Sequence, residues 1–418
     1  MRIHVSSSLA TQKTRLDYLF RVLAVNKKTK FEVVLSDDSS APIVGRDAHH
    51  TFRVTTSFAN DRLSVSQLNS NGLFESENGA PDYISSAFFF LTSLQEYQDN
   101  NPDPLGRFQY KNSYQARFNS PTDNLVQHCF DQIAKAIGVS SHTEKTSFFL
   151  SHDIDLVYGS IKEDGFYALK KGRIDKFLQL LFHVAVGRPD WLNMDQIMKI
   201  ESEYDCRSTF FWIMNQGGTK RLMDADYNFQ SSSIQQNFSN TGSNGFENGI
   251  HKSLSSKSFR EEIERYGMQP LANRYHYLKF SLPAGYDAVE EAGLKLDASL
   301  GFSEQMGFRN SYGLPVNPFN FQNNRPYSFV EVPLHVMDRT FFVKKMDLES
   351  IEKNIFDFFE KNRSNCVLSV LWHNNFFTDY KYKGYLSLYK KILQYIKDNN
   401  FKTISQQEIL NKYSISWP

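Results

Sequence analysis

Apolar residues recur at helical spacing in Leu16, Leu19, Phe20 and Leu23, which predicts an amphipathic helix near the start of the chain. FEVVLS, residues 31–36, reads as a strand. A buried helix is expected through SSAFFFLTSLQEY, and another through DNLVQHCFDQIAKAIG, where Gly138 suits a helix C-terminus. VSSHTEKT, residues 139–146, is polar and fits a linker or surface loop. Beyond it the rhythm changes. FFLS, STFFWIM, CVLSVLWH and FKTI predict short strands. Between them MDQIMKIESEYD, SFREEIERYG, LESIEKNIFDFFEKN, YLSLYKKILQYIKDN and SQQEIL predict helices, SFREEIERYG with a capping box at Ser258 and Glu261 and a stop at Gly267. Residues 226–249 are rich in Ser, Asn and Gly and read as a long loop. Strand–helix alternation over the last part of the chain predicts a parallel α/β sheet or barrel over 146–418, behind a separate unit over 1–145. No internal repeat is visible.

Composition narrows the function classes. The 418 residues suit two or three domains. With 47 Lys+Arg against 46 Asp+Glu, the net charge of +1 gives no support to a nucleic-acid or polybasic membrane partner. A hydrophobic share of 40% and 36 Phe supply large cores, so wholesale disorder is excluded. Cys129, Cys206 and Cys366 are odd in number and far apart, so neither a disulfide framework nor a cysteine zinc site follows. The longest apolar stretch, around Tyr83 to Leu94, is short of the roughly 20 residues a membrane-spanning helix needs. The start, MRIHVSSSLATQKTR, lacks the apolar core of a secretory signal, and a cytoplasmic protein is the expectation.

In parallel α/β folds, sites lie at the C-terminal ends of strands. FFLSHDID ends in His152, Asp153 and Asp155. Two carboxylates this close repel unless a cation or proton lies between them. One then ligates a metal while the other acts as general base, or one simply caps a helix. His251 in GIHKS, and Arg274 and His276 in NRYHYL, also follow apolar runs. One Asp and two His at strand ends form a recurrent ligand set for catalytic zinc, with positions left open for water. His373, emerging from LSVLWHNN into Asn374 and Asn375, is a candidate acid/base. Arg309 in MGFRNSYGLP, Glu331 in FVEVPL and Asp297 in KLDASLGF are weaker marks, and are the candidate substrate-binding groups. Glu331 interrupts an apolar run and is expected to face water or a partner. Trp191, Trp212 and Trp372 read as core.

These strand-end marks, in this order, resemble the polysaccharide deacetylase superfamily (carbohydrate esterase family four), and most of all a bacterial branch with HDxD, HxS and RxHYL motifs behind an extra N-terminal domain. The likeness runs from about Phe148 to the C-terminus, and SAFFFLTSLQEYQ and GRF resemble that branch's N-terminal domain. The resemblance implies an irregular (β/α) barrel of about seven strands with a small N-terminal α/β domain in front. It matches Asp153 to the catalytic base, Asp155 to a metal ligand, Arg274 to the arginine that steadies the base, and His373 to the histidine after the last strand. The family's second motif has two histidines four residues apart. Here Ser255 stands at the second place after His251, and His276 is the candidate for the missing ligand.

The activity implied is hydrolysis of an N-acetyl group on a sugar or glycan by a divalent metal, zinc first. A biosynthetic intermediate is favoured over a finished wall polymer. Asp153 would take the proton of water, and His373 would protonate the amine; Asp297 or Glu331, with Glu331 favoured, would orient His373. The rival readings are a catalytically inactive sugar-binding or scaffold protein, motivated by Ser255, and another metallohydrolase such as a phosphoesterase. No residue before about 145 shows a strand-end cluster of ionisable groups, so no catalytic residue is expected there.

Overall fold

The first strand, β1 (Arg2–Val5), leads into α1 (Lys13–Lys27), whose Leu16, Leu19, Phe20 and Leu23 are all buried. The structure is a computed structural model and describes residues 1–417 apart from 48, 141, 220 and 221. After α1 come β2 (Glu32–Leu35), β3 (Ile43–Gly45) and β4 (Phe52–Arg53), all parallel, in the order β2-β1-β3-β4. Two helices cover this sheet's side of the molecule. Asp82 caps α2 (Tyr83–Leu91), and Asn124 caps α3 (Leu125–Ala136), each accepting a backbone N–H of the first turn. Gly138 follows α3 in the left-handed region, at φ 69°, where glycine carries no steric penalty.

The larger sheet is built from β5 (Ser147–Ile154), β6 (Ser208–Trp212), β7 (Glu247–Lys252), β8 (Ala272–Tyr275), β9 (Leu296–Asp297), β10 (Val330–Glu331), β11 (Val336–Met337), β12 (Val367–Leu371) and β13 (Lys402–Thr403). Its pairings are all parallel, in the order β10-β9-β8-β7-β6-β5-β12-β11, and β13 also pairs with β5. The two ends of this path are one piece of chain. Residues 330–332 pair with β9, Leu334 N–H donates to Leu300, and His335 N–H donates to Ser369 beside β12. One extended segment therefore spans both edges, so the sheet curls on itself. The ring counts seven staves, with β13 outside it. The chain is α/β.

Strand alternation sorts the side chains. Phe148, Leu150, His152 and Ile154 point outward: the three apolar ones join a core with Phe210, Trp212, Ile250 and Tyr275, and the His152 ring packs on Phe210, Phe377 and Tyr389. Phe149, Phe211, Ala272, Leu296, Ala298, Val330, Val332 and Val367 point inward, and share a second core with α1, α2 and α3. Gly249 leaves room for this inner layer, since a Cβ there would sit 2.5 Å from the Phe211 ring.

Residues 226–249 are not a loop. They hold the helix Ser232–Ser243, buried through Ile234, Phe238 and Thr241, and the start of β7. Burial at i, i+4 and i+7 outweighs the poor helix propensity of Ser, Asn and Gly.

Candidate metal centre

The site lies at the C-terminal rim of the curled sheet, and the two-residue period of the strands builds it. Past Phe149 and Ser151 the inward face of β5 presents Asp153, and Asp155 follows just beyond the strand. His251 faces inward on β7, Arg274 on β8, and His276 lies two residues after Arg274 in the turn that follows. That turn is strained: Tyr277 and Leu278 have φ of 57° and 52°, unusual for residues with bulky side chains.

Three donor atoms converge. His251 Nε2 lies 3.2 Å from Asp155 Oδ1, His276 Nδ1 lies 3.5 Å from the same oxygen, and the two nitrogens are 3.2 Å apart. The other nitrogen of each ring meets a backbone carbonyl, His251 Nδ1 at Arg274 O and His276 Nε2 at Met223 O, both at 2.8 Å. A carbonyl only accepts, so both rings donate there and both turn a lone pair toward Asp155. Asp155 Oδ1 is buried and has no hydrogen-bond partner. Two lone pairs and a carboxylate oxygen in contact repel unless a cation sits among them. The residues present thus fit a divalent ion.

The charges respond accordingly. Burial alone would raise the Asp155 carboxyl, but the imidazoles of His276, His251 and His373 hold it well below the usual carboxylate range. Burial lowers the His276 imidazole. His251 is pulled down by burial yet ends above its ordinary value because Asp153 and Asp155 face it.

Asp153 lies on the far side of His251, with Oδ2 3.4 Å from His251 Nε2. Its Oδ1 accepts from Arg274 Nη1 at 2.9 Å, and the same nitrogen donates to Ser151 Oγ at 2.8 Å. Arg274 is fully buried, donates through Nε to Ala298 O, and stacks on the Phe211 ring at 4.5 Å. His373 follows β12, and its Nε2 is 3.7 Å from Asp155 Oδ2. Its Nδ1 donates to Asp338 Oδ1 at 2.7 Å, and its backbone N–H donates to Asp338 Oδ2 at 2.6 Å. Burial opposes charge on His373, but Asp338, backed by Asp155 and Asp153, raises it to about 9.

The two carboxylates and three imidazoles open on one cavity of about 770 Å³, with Arg274 and Asp338 behind them. Asp153, Asp155, His251, His276 and His373 line its floor. Leu105 and Arg107 reach it from the N-terminal part, and Arg107 Nη1 donates to the Tyr277 carbonyl at 2.6 Å.

The structure sends three expected site residues elsewhere. Asp297 and Glu331 sit on the outward face of β9 and β10, because Leu296, Ala298, Val330 and Val332 take the inward positions. Glu331 does not face water. It is fully buried against Asp297, and burial with that like-charged neighbour raises its carboxyl well above the ordinary range. Neither carboxyl orients His373; Asp338 does. Arg309 is buried away from the cavity, paired through both ends of its guanidinium with Glu96 at 2.8 and 2.6 Å. Ser255 is bonded to Ser253 and Asn215, apart from the donor cluster.

Asp338 was not visible as a site residue. Its signal was the short run LHVM before it: β11 is only two residues long, and the Asp follows it as the other site groups follow their strands. Asp47, His49 and His50 form a second group of possible ligands in the N-terminal part. His50 Nδ1 there accepts the Asp47 N–H at 3.0 Å, which places the ring proton on Nε2 and removes a ligand atom.

Comparison with known proteins adds the following. Residues 7–141 match a family of unknown function (DUF7033). No curated protein matches the chain. Among solved structures, the chain is similar to a protein from Mycobacterium smegmatis assigned to the polysaccharide deacetylases, at 12% identity and a TM-score of 0.41, over 67% of this chain and 97% of that one. It is also similar to a mutant of a CE4 family pseudoenzyme with restored enzymatic activity, at 12% identity and a TM-score of 0.29, over 66% of this chain and 71% of that one.

Proposed function

We propose that the protein is a metal-dependent hydrolase that removes an N-acetyl group from a sugar or glycan intermediate, zinc being the metal best suited to two imidazoles and one carboxylate. Asp155, His251 and His276 are the ligands in this reading. The observation that carries it is the pair of imidazole lone pairs turned onto the unpartnered Asp155 oxygen, beside a second carboxylate held by a buried arginine. A divalent ion in such a site acidifies water and offsets negative charge on the acetyl oxygen.

The chain's own residues do the rest. Asp153 accepts the water proton, and Arg274 holds its carboxylate in place. His373, kept charged by Asp338, gives its Nε2 proton to the departing amine, which is a poor leaving group until protonated. In this reading Ser255 does not argue for an inactive scaffold, since His276 would be the third donor. A cytoplasmic location and a role in surface-glycan assembly belong to the same reading.

The test is acetate release from N-acetylglucosamine oligomers by protein reconstituted with Zn²⁺, abolished by a chelator and restored by the ion. Asp153→Asn should lower turnover about 10²–10⁴-fold while metal content is retained. Release of phosphate from a phosphoester and none of acetate would overturn the proposal.

A further inference from the structure

Of the fourteen large apolar side chains that stand exposed among the described residues, eight lie between residues 166 and 186. This segment is a helical hairpin, α4 (Phe166–Lys170) and α5 (Ile174–Ala185), inserted after β5. One side of α5 packs inward. Leu180 is buried, and the Phe177 ring lies so close to Gly165 that a Cβ there would come within 3.1 Å. The other side is apolar too. Ile174, Leu178 and Phe182 recur at i, i+4 and i+8, and are 61, 58 and 63% exposed, with Phe166 of α4 at 68%. A helix that is apolar on its packed side and again on its outer side expects a nonpolar medium outside.

Charge decides which medium. The segment's acids are engaged: Asp164 accepts from Trp191 and Thr378, Glu163 pairs with Lys381, Asp190 with His183, and Asp175 with Arg173. Lys162, Lys170, Lys171 and Arg188 have no carboxylate partner among the described residues. Unpaired cations around an apolar face match an anionic lipid surface. They oppose a two-fold contact between copies of this chain, which would set like charges against each other. The cationic surroundings of the face reach the candidate site: Lys162, four residues before the hairpin, lines the cavity, and so does Arg339. No helix among the described residues is long and apolar enough to cross a membrane, so a bilayer contact through this face would be peripheral.

We propose that the α4–α5 hairpin docks the protein on an anionic bilayer and holds the cavity mouth at the headgroup level. As a corollary, which rests on the hydrolase reading above, the glycan substrate is lipid-anchored.

The direct test is flotation of the full chain with vesicles of phosphatidylcholine alone or mixed with phosphatidylglycerol. Binding is expected to the mixed vesicles and to weaken with added salt. It should fall at least about tenfold in Phe166→Ser/Leu178→Ser/Phe182→Ser and in Lys170→Glu/Lys171→Glu, with thermal unfolding unchanged. Absence of vesicle binding by the native protein overturns the proposal, as does equal binding by the variants. Sedimentation showing a native dimer that the triple variant converts to monomer would assign the face to a second copy instead. None of these readouts uses turnover, so failure of acetate release leaves them intact. In the same vesicles, acetate release from a lipid-anchored acetamido sugar should exceed that from the free sugar at least about tenfold, and equal rates would refute the corollary.

Discussion

Replacing Asp338 with Asn should discharge His373 and also cost the bond from its backbone N–H, because the amide –NH2 that takes the place of Oδ2 cannot accept it. The amide keeps its carbonyl oxygen 2.7 Å from Nδ1 but loses the negative charge. Burial alone drives an imidazole below its ordinary value, and in the native protein Asp338 is the largest influence against that. The rise from 6.5 to about 9 corresponds to about 3 kcal/mol of preference for the charged ring, at 1.36 kcal/mol for each pKa unit. In metal-free protein, the His373 ring signal followed by NMR should titrate near 9 in the native chain and clearly lower in Asp338→Asn. The sign for stability follows. A histidine whose folded value is raised stabilises the native state fully below 6.5, and that contribution fades as pH rises through about 9. The native chain should therefore exceed the variant in stability most below pH 6.5, with the gap closing toward pH 9. On the proposed hydrolase reading, amide hydrolysis by the zinc-reconstituted protein should fall about 10²–10⁴-fold at neutral pH. The loss should be smaller on an acetyl ester, whose alkoxide leaves more readily than an amine. Unchanged titration of His373 in the variant would refute the assignment of Asp338 as its counter-charge.

Three further outcomes are expected. His276→Ala and Asp155→Asn should each weaken zinc binding at least about 10–100-fold by elemental analysis after dialysis, whereas Asp153→Asn should not; equal losses in all three would mean that the ligand and base roles are divided wrongly. Glu331, with its carboxyl raised well above 4.5, binds a proton in the native state that the unfolded chain has released, so native stability should fall as pH rises above about 5, by up to about 1.4 kcal/mol per pH unit. Glu331→Gln should flatten that slope in urea titrations across pH, and an identical slope would show that Glu331 is ionised. Glu96→Ala should cost about 3–5 kcal/mol by stranding the buried Arg309 charge, and adding Arg309→Met should recover part of the loss; strictly additive losses would mean that the pair is not coupled.

Much of the site was legible because its residues stand at the ends of long apolar runs. FFLSHDID and LSVLWHNN announce strands strongly enough that the polar residue after each is conspicuous, and the structure places Asp153, Asp155 and His373 on one cavity. Asp297 and Glu331 were misplaced for a different reason. Each sits between two apolar neighbours in a strand buried on both faces, so the sequence carries no sign of which face the carboxyl takes. In such strands parity is set only by the tertiary pairing, here by Leu296 and Val330 entering the inner core. Arg309 was misread because a Gly-rich loop suggests a ligand contact, and its partner, Glu96, lies 213 positions away in the chain. Asp338 escaped notice because a two-residue strand offers no period to read.

The position of Asp153, the base in the proposed reading, depends on the packing of the N-terminal part. Phe149 and Phe211 fill the lower end of the curled sheet in one core with α1, α2 and α3. Arg274 lies flat on Phe211, and its guanidinium in turn holds Asp153. Above that layer stand Asp155 and the two imidazoles. The stack runs from apolar plug to cation to carboxylate to ligand set, so a looser plug would let water reach a guanidinium whose Nη2 has no partner. A hydrated Arg274 would hold Asp153 less firmly, since each new water competes for the same donors. The second link is at the rim, where Arg107 ties the strained Tyr277 turn and thereby the backbone that carries His276. The Arg309–Glu96 pair and the Tyr18 hydroxyl on Asn317 O fasten the two parts between these points. The N-terminal part thus positions these groups: it closes the end of the barrel from which Asp153 is supported and braces the loop that carries His276.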